Sequence, residues 1–277
     1  MEDQKKRRPI VALFLSLLTF GLGQIYNGQL KKAVSFYLAE CLLVATLLFS
    51  DLFFSFFGMI MFLLIGFSIG LFSMLEALWS AIRLKGISLK KYNRWYYYLG
   101  IIFLNLFIIA PITESVFKPD LPIKAYRIPS GAMSPAIEIG DHIVVNKKAF
   151  EKHSPKRGDI VVFQYPVDPS QDFIERVVGL PGEILEMRNK KVFVNNRLLE
   201  EPYVRHTDPH IIPAQVGPRD NFGPITVPDN SLFVMGDNRD ESFDSRFWGF
   251  VDASALKGRA LYIYWSKSKS RIGMVKK

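Results

Sequence analysis

Residues 126–147 read YRIPSGAMSPAIEIGDHIVVNK. Small residues and turn formers come first, Pro129, Gly131, Pro135 and Gly140 among them, and the β-branched run IVV follows. That order predicts a tight loop feeding a strand. At the loop's centre stands Ala132, with Ser130 and Ser134 two residues to either side.

The same grammar recurs downstream. DIVVFQYP (159–166), FIERVVGL (173–180), GEILEMR (182–188), KKVFVNN (190–196), SLFVMGD (231–237) and RALYIYW (259–265) are short β-rich runs. They are separated by the turn signals PKRGD, GLPGE and VPDN, and no long amphipathic helix competes. Many short strands so punctuated predict a mainly-β domain of coiled sheets.

Upstream the composition changes. From about residue 9 to about residue 116 Leu, Phe, Ile and small residues dominate, which predicts a membrane domain over 1–119 and a soluble β domain over 120–277. The formal net charge is +9, of which residues 1–119 carry 12 Lys/Arg against 6 Asp/Glu and residues 120–277 carry 23 against 20. The basic excess therefore belongs mostly to loops flanking apolar runs, and a nucleic-acid partner is not expected. A single cysteine, Cys41, excludes an intrachain disulfide.

Three apolar runs, at about 33–50, 52–82 and 95–115, are long enough to span a bilayer core. The first run, PIVALFLSLLTFGLG (9–23), is short and leads into the polar, Gly-rich GLGQIYNGQLKK. Basic residues decide the threading: Lys5 to Arg8 precede the first run, Lys31 and Lys32 follow it, and Arg83, Lys85, Lys90, Lys91 and Arg94 precede the last. Keeping all three clusters in the cytoplasm makes segment 9–28 re-entrant, or a short helix, followed by three crossings, with the β domain outside. A cleavable secretory signal is the alternative reading of the first run, but no small-x-small site follows it. Glu40 and Glu76 lie in or near the apolar helices, where an ionisable group is either functional or a packing partner.

Four stretches carry a more specific signal. IPSGAMSPAIEIGDHIVVNK, KRGDIVVFQYP, FIERVVGLPGE and FVMGDNRDESFDSRFWGFV stand in the order of the boxes of bacterial type I signal peptidase, the leader peptidase family, which this chain resembles from about residue 126 to about 265. The resemblance implies a β domain outside the bacterial inner (cytoplasmic) membrane that removes signal peptides from exported preproteins after small-x-small sites. It calls for no cofactor and no metal. The family's nucleophile is a serine and its base a lysine, the Ser-Lys variant of triad logic, in which burial keeps the lysine neutral.

Carried over by position, the nucleophile site is Ala132 and the base site is Glu175, so both catalytic side chains are missing. Ser130 and the backbone N–H of Ala132 match the oxyanion hole. Met133 and Pro135 match loop-shaping residues. Arg176, Gly179, Pro181 and Gly182 match the third box. Gly236, Asp237, Asn238, Arg239, Asp240, Ser242, Asp244, Ser245 and Arg246 match the last, with Ser242 beside the base and Asp244 and Arg246 supporting it.

Three functional readings follow. The chain is a cleavage-dead member of this family, natural or inactivated. Alternatively, it is a membrane-tethered module that binds signal peptides, or an accessory to an active paralogue or to the secretion machinery. The third is a hydrolase using water activated by Glu175. Ser134 as a substitute nucleophile is displaced by about 7 Å along the chain, beyond hydrogen-bond reach. The pair His206 and His210 sits around Pro209 in a loop, DNRDESFD lacks the glycine and terminal glutamate of a calcium loop, and GLPGE has no helix after it to cradle phosphate.

Overall fold

The structure, a computed structural model, describes residues 4–5, 7–50, 54–84, 87–88, 91–109 and 122–275. The chain divides into two compact units, Met1–Leu121 and Pro122–Lys277. Asp51 and residues 110–115 of the last predicted crossing lie outside the described residues.

The first unit is helical. Its elements are β1 (Gln4–Lys5), α1 (Pro9–Leu18), α2 (Leu22–Tyr26), α3 (Leu30–Phe49), α4 (Phe56–Arg83), β2 (Ile87–Ser88) and α5 (Trp95–Leu104), with β1 and β2 paired antiparallel. Pro9 opens α1, where its missing N–H costs nothing. Small residues bring the helices together: Ala12, Ala77 and Ala81 are buried, and a Cβ on Gly23 would come within 2.1 Å of Ser16 Oγ and 2.4 Å of the Ala12 carbonyl oxygen. The polar residues of the 22–29 hairpin turn inward, Gln24 Nε2 donating to the Ser73 carbonyl at 2.7 Å and Asn27 Nδ2 to that of Ala77 at 2.7 Å. Large apolar side chains face outward, Ile10 at 66% exposure and Phe67 at 71%.

The sequence predicts three crossing helices. Among the described residues α4 is the one helix long and apolar enough to cross a membrane, while Pro9–Leu18 and Trp95–Phe107 are shorter apolar helices. α3 has 20 residues, with Lys31 and Lys32 in its first turn and Glu40 further along.

The second unit is mainly β. Its strands are β3 (Ile123–Arg127), β4 (His142–Asn146), β5 (Ile160–Gln164), β6 (Asp172–Gly179), β7 (Ile184–Arg188), β8 (Lys191–Val194), β9 (Arg197–Leu198), β10 (Phe222–Thr226), β11 (Ser231–Met235), β12 (Val251–Asp252), β13 (Leu256–Trp265) and β14 (Gly273–Met274). The larger sheet runs β12-β11-β6-β5-β13-β4-β3 with β14 on β13, the smaller β10-β7-β8-β9, and the pairings are antiparallel.

Continuous apolar runs in β5 and β11 have a structural reason. Ile160 and Val162 face one cluster with Met133, Ile137 and Ile143, whereas Val161 and Phe163 face another with Val177, Leu232 and Val234. In β11, Phe233 and Met235 face a third cluster with Leu185, Met187 and Val192 of the smaller sheet. Strands covered on both faces lose the alternation that marks a half-exposed strand. The site is held at the end of this doubly covered sheet, by the loop before β4 and the loop after β11.

Candidate active site

The 128–141 loop is fixed at its base and along its length. Ile128 and Asp141 close its neck, the Ile128 N–H donating to the Asp141 carbonyl at 2.9 Å, and Met133 and Ile137 sink into the core beneath it. Arg271 clamps it from the C-terminal side, donating to the Asp141 carboxylate at 2.8 Å and to the Pro135 carbonyl at 3.0 Å. From the loop after β11, the Asn238 N–H donates to the Ala132 carbonyl at 2.9 Å and Asn238 Nδ2 to that of Gly131 at 3.2 Å.

Gly236 makes that junction possible. A Cβ there would lie 2.4 Å from Ser242 Oγ and 2.6 Å from the Ala132 carbonyl oxygen, so only glycine admits both neighbours. Glu175, on β6 beside Val161 of β5, is 3% exposed. The Ser242 hydroxyl donates to its Oε1 at 3.5 Å, while Oε2 has no hydrogen-bond partner among the described residues. Burial pushes the Glu175 carboxyl well above its usual range, the neighbouring Asp244 carboxylate adds to this, and Arg246 opposes it. Ala132 and Glu175 are thus joined through Gly236 and Ser242.

The last box is held by a set of buried arginine forks. Arg176 donates from Nε and Nη2 to Asp237 at 2.7 and 2.6 Å with both side chains fully buried, and its guanidinium carbon lies 4.0 Å from the Tyr203 ring centroid. Arg246 grips Asp244 in the same way, at 2.8 Å on each arm, and Asp244 Oδ2 also accepts the Gly236 N–H at 3.0 Å. Arg239 holds Glu201 through both terminal nitrogens, at 3.0 and 2.5 Å. The charges are desolvated but satisfied, which fixes the backbone around Gly236.

The remaining candidates are placed as follows. Ser130 is exposed, and its hydroxyl accepts the Ala132 N–H at 3.4 Å. Ser134 is buried, donating to Glu138 at 3.0 Å and accepting from Arg205 at 3.3 Å. His206 and His210 face different carboxylates, Asp240 at 3.5 Å and Asp208 at 2.9 Å. Tyr203, Glu201, Asn238's grip on the loop and the Arg271 clamp were not singled out in the sequence as site-builders. For Tyr203 and Glu201 the sequence holds only EEPY in an unpatterned loop, which gives no local signal.

With this geometry in view, relatives become informative. The family model described as signal peptidase, peptidase S26, matches residues 95–265, more than half of the chain. The chain belongs to the signal peptidase S26 family. A probable signal peptidase I-2 of Synechocystis sp. is 36% identical over 148 residues, covering 51% of this chain and 63% of that protein. A signal peptidase I of Leptolyngbya laminosa is 39% identical, covering 60% and 78%, and one of Aquifex aeolicus is 32% identical, covering 59% and 83%. Ala132 offers no side-chain nucleophile, and Glu175 is a buried acid with no cation bonded to it among the described residues.

Proposed function

We propose that this chain is a membrane-anchored, multi-span member of the signal peptidase I family that holds the signal-peptide region of exported preproteins without cutting it. The observation that carries the reading is the pair at the junction: a methyl group at residue 132 and, behind Ser242, a buried carboxyl at residue 175. Acyl transfer requires a hydroxyl and a neutral amine there, because a serine hydroxyl attacks only when a neighbour takes its proton. Neither is present.

Membrane attachment is supported by the outward-facing apolar side chains of the helical unit and by α4. The outer face of the bacterial inner membrane is the location that the basic clusters and the family resemblance favour. The resemblance also assigns Ser130 and the Ala132 N–H to an oxyanion hole, with Met133, Arg176, Asp237, Ser242, Asp244 and Arg246 supporting the site. The resemblance implies a cleft for small side chains beside these groups, which leaves binding open as an activity, alone or beside an active paralogue.

Water activated by Glu175 is the weaker reading. A general base must be ionised at the working pH, and burial favours the protonated form of Glu175.

The test is cleavage of a preprotein by the purified, detergent-solubilised chain. The wild type is expected to bind the signal region and leave it intact, and A132S with E175K together to produce cleavage that neither substitution produces alone. Cleavage by the wild type at an ordinary enzymatic rate overturns the reading, and loss of such cleavage in Glu175→Gln would establish the water mechanism instead.

A further inference from the structure

Three arginines of the β unit share one arrangement. Arg176, Arg246 and Arg219 each turn the Nε–Nη2 edge of the guanidinium onto both oxygens of one carboxylate. Arg7, in the helical unit, presents that same edge to nothing: its Nε and Nη2 are buried and have no hydrogen-bond partner among the described residues. An unpaired guanidinium withdrawn from water is costly, so the edge calls for an anion.

Among the described residues of the unit, nothing nearby supplies one. Its described carboxylates are Glu40 and Glu76, the first turn of α1 has no acidic residue, and Glu76 already accepts from Lys32, Gln24 and Ser80. The guanidinium is oriented, its carbon 4.4 Å from the Tyr26 ring centroid. Tyr26 is held in turn, its hydroxyl accepting the Arg8 N–H at 3.1 Å and its ring 6.2 Å from that of Tyr98. Asn93 ties α2 to the start of α5, donating to the Ile25 carbonyl at 2.7 Å.

The same end of the unit carries Trp95, Tyr96 and Tyr97 as exposed aromatics, with Arg8, Lys91 and Arg94 as exposed cations. An aromatic girdle beside a basic cluster marks headgroup level at a cytoplasmic membrane face. We infer that Arg7, stacked on Tyr26, is a binding site for the phosphate of an anionic phospholipid headgroup. Arg7 as a residue is partly exposed, so a rotation of its long side chain that gives up the resting contact with Tyr26 brings the edge to the surface. Two parallel N–H donors then meet two phosphate oxygens, a geometry a lysine cannot reproduce. The inference rests on the membrane reading of this unit.

The full chain is reconstituted into nanodiscs of phosphatidylcholine alone or with phosphatidylglycerol, and thermal melting and lipid retention under native mass spectrometry are measured. The wild type is expected to melt higher in the anionic discs and to retain phosphatidylglycerol, with millimolar inorganic phosphate having no effect. Arg7→Ala and Arg7→Lys are each expected to weaken retention about tenfold or more, whereas Arg8→Ala, which removes one charge and no oriented edge, leaves it near wild type. Equal retention in Arg7→Lys and wild type, equal loss in Arg8→Ala, no preference for anionic discs, or a matching shift from free phosphate each overturns the inference. A chain that fails to enter discs of either composition overturns the membrane reading itself, which separates the two failures.

Discussion

At residue 175 the fold keeps an acid where water cannot solvate its charge. The unfolded chain titrates this carboxyl near its ordinary 4.5, and the folded protein titrates it well above that, through burial first and Asp244 second. Between those two values the folded state binds more protons than the unfolded state, so stability falls as pH rises. Glu175→Gln removes the titration while keeping the shape and the contact with Ser242. Its melting temperature is expected to exceed that of the wild type at pH 8, with the gap closing towards pH 4; parallel curves across that range would refute the assignment. The identities of Ala132 and Glu175 were plain in the sequence. That Glu175 Oε2 is without a hydrogen-bond partner among the described residues was not, because partners are set by strands and loops distant along the chain.

At the scale of elements, the long connection from β9 to β10 is strapped over the last box by a second set of charges. Asp240 accepts the N–H groups of Thr207 and Asp208, each at 2.8 Å, and pairs with Lys190 at 2.5 Å. Burial works against its charge, yet Lys190 and those N–H donors hold its carboxyl down to about 2. A depressed carboxyl adds stability that is fully present above its unfolded value of about 3.8 and is lost as pH falls towards 2. Asp240→Asn is expected to cost about 2 kcal/mol at pH 6, below the full cost of breaking a buried pair because Lys190 keeps Asp220 at 3.5 Å. Urea melts of both proteins at pH 6 and pH 3 check this, the difference shrinking at the lower pH; a constant difference would place the effect in packing rather than charge.

Over the whole molecule, the two units solve opposite packing problems. The β unit buries Val, Ile, Leu and Phe and closes its polar groups into arginine forks, whereas the helical unit buries Ala, Ser, Gln and Asn and turns Phe, Leu and Ile outward. An inverted surface of that kind is stable only in an apolar surround. Membranes from cells expressing the chain are therefore expected to retain it through alkaline carbonate and high-salt washing. Release of the full-length protein by either wash would show that the apolar helices are covered by protein rather than lipid.

Local pattern in the sequence was enough to separate a helical, apolar N-terminal unit from a mainly-β unit and to reveal the family's boxes, because strand period, turn residues and spacing are properties of neighbouring residues. It also showed directly that residues 132 and 175 are alanine and glutamate. Tertiary structure alone decided that these two positions share Gly236 and Ser242, that Arg176 sits on Tyr203, and that Arg7 Nε and Nη2 have no hydrogen-bond partner among the described residues. Those relations join residues as far apart as Asn238 and Gly131, 107 positions along the chain. No local periodicity encodes such pairings, since they arise only when elements distant along the chain pack together.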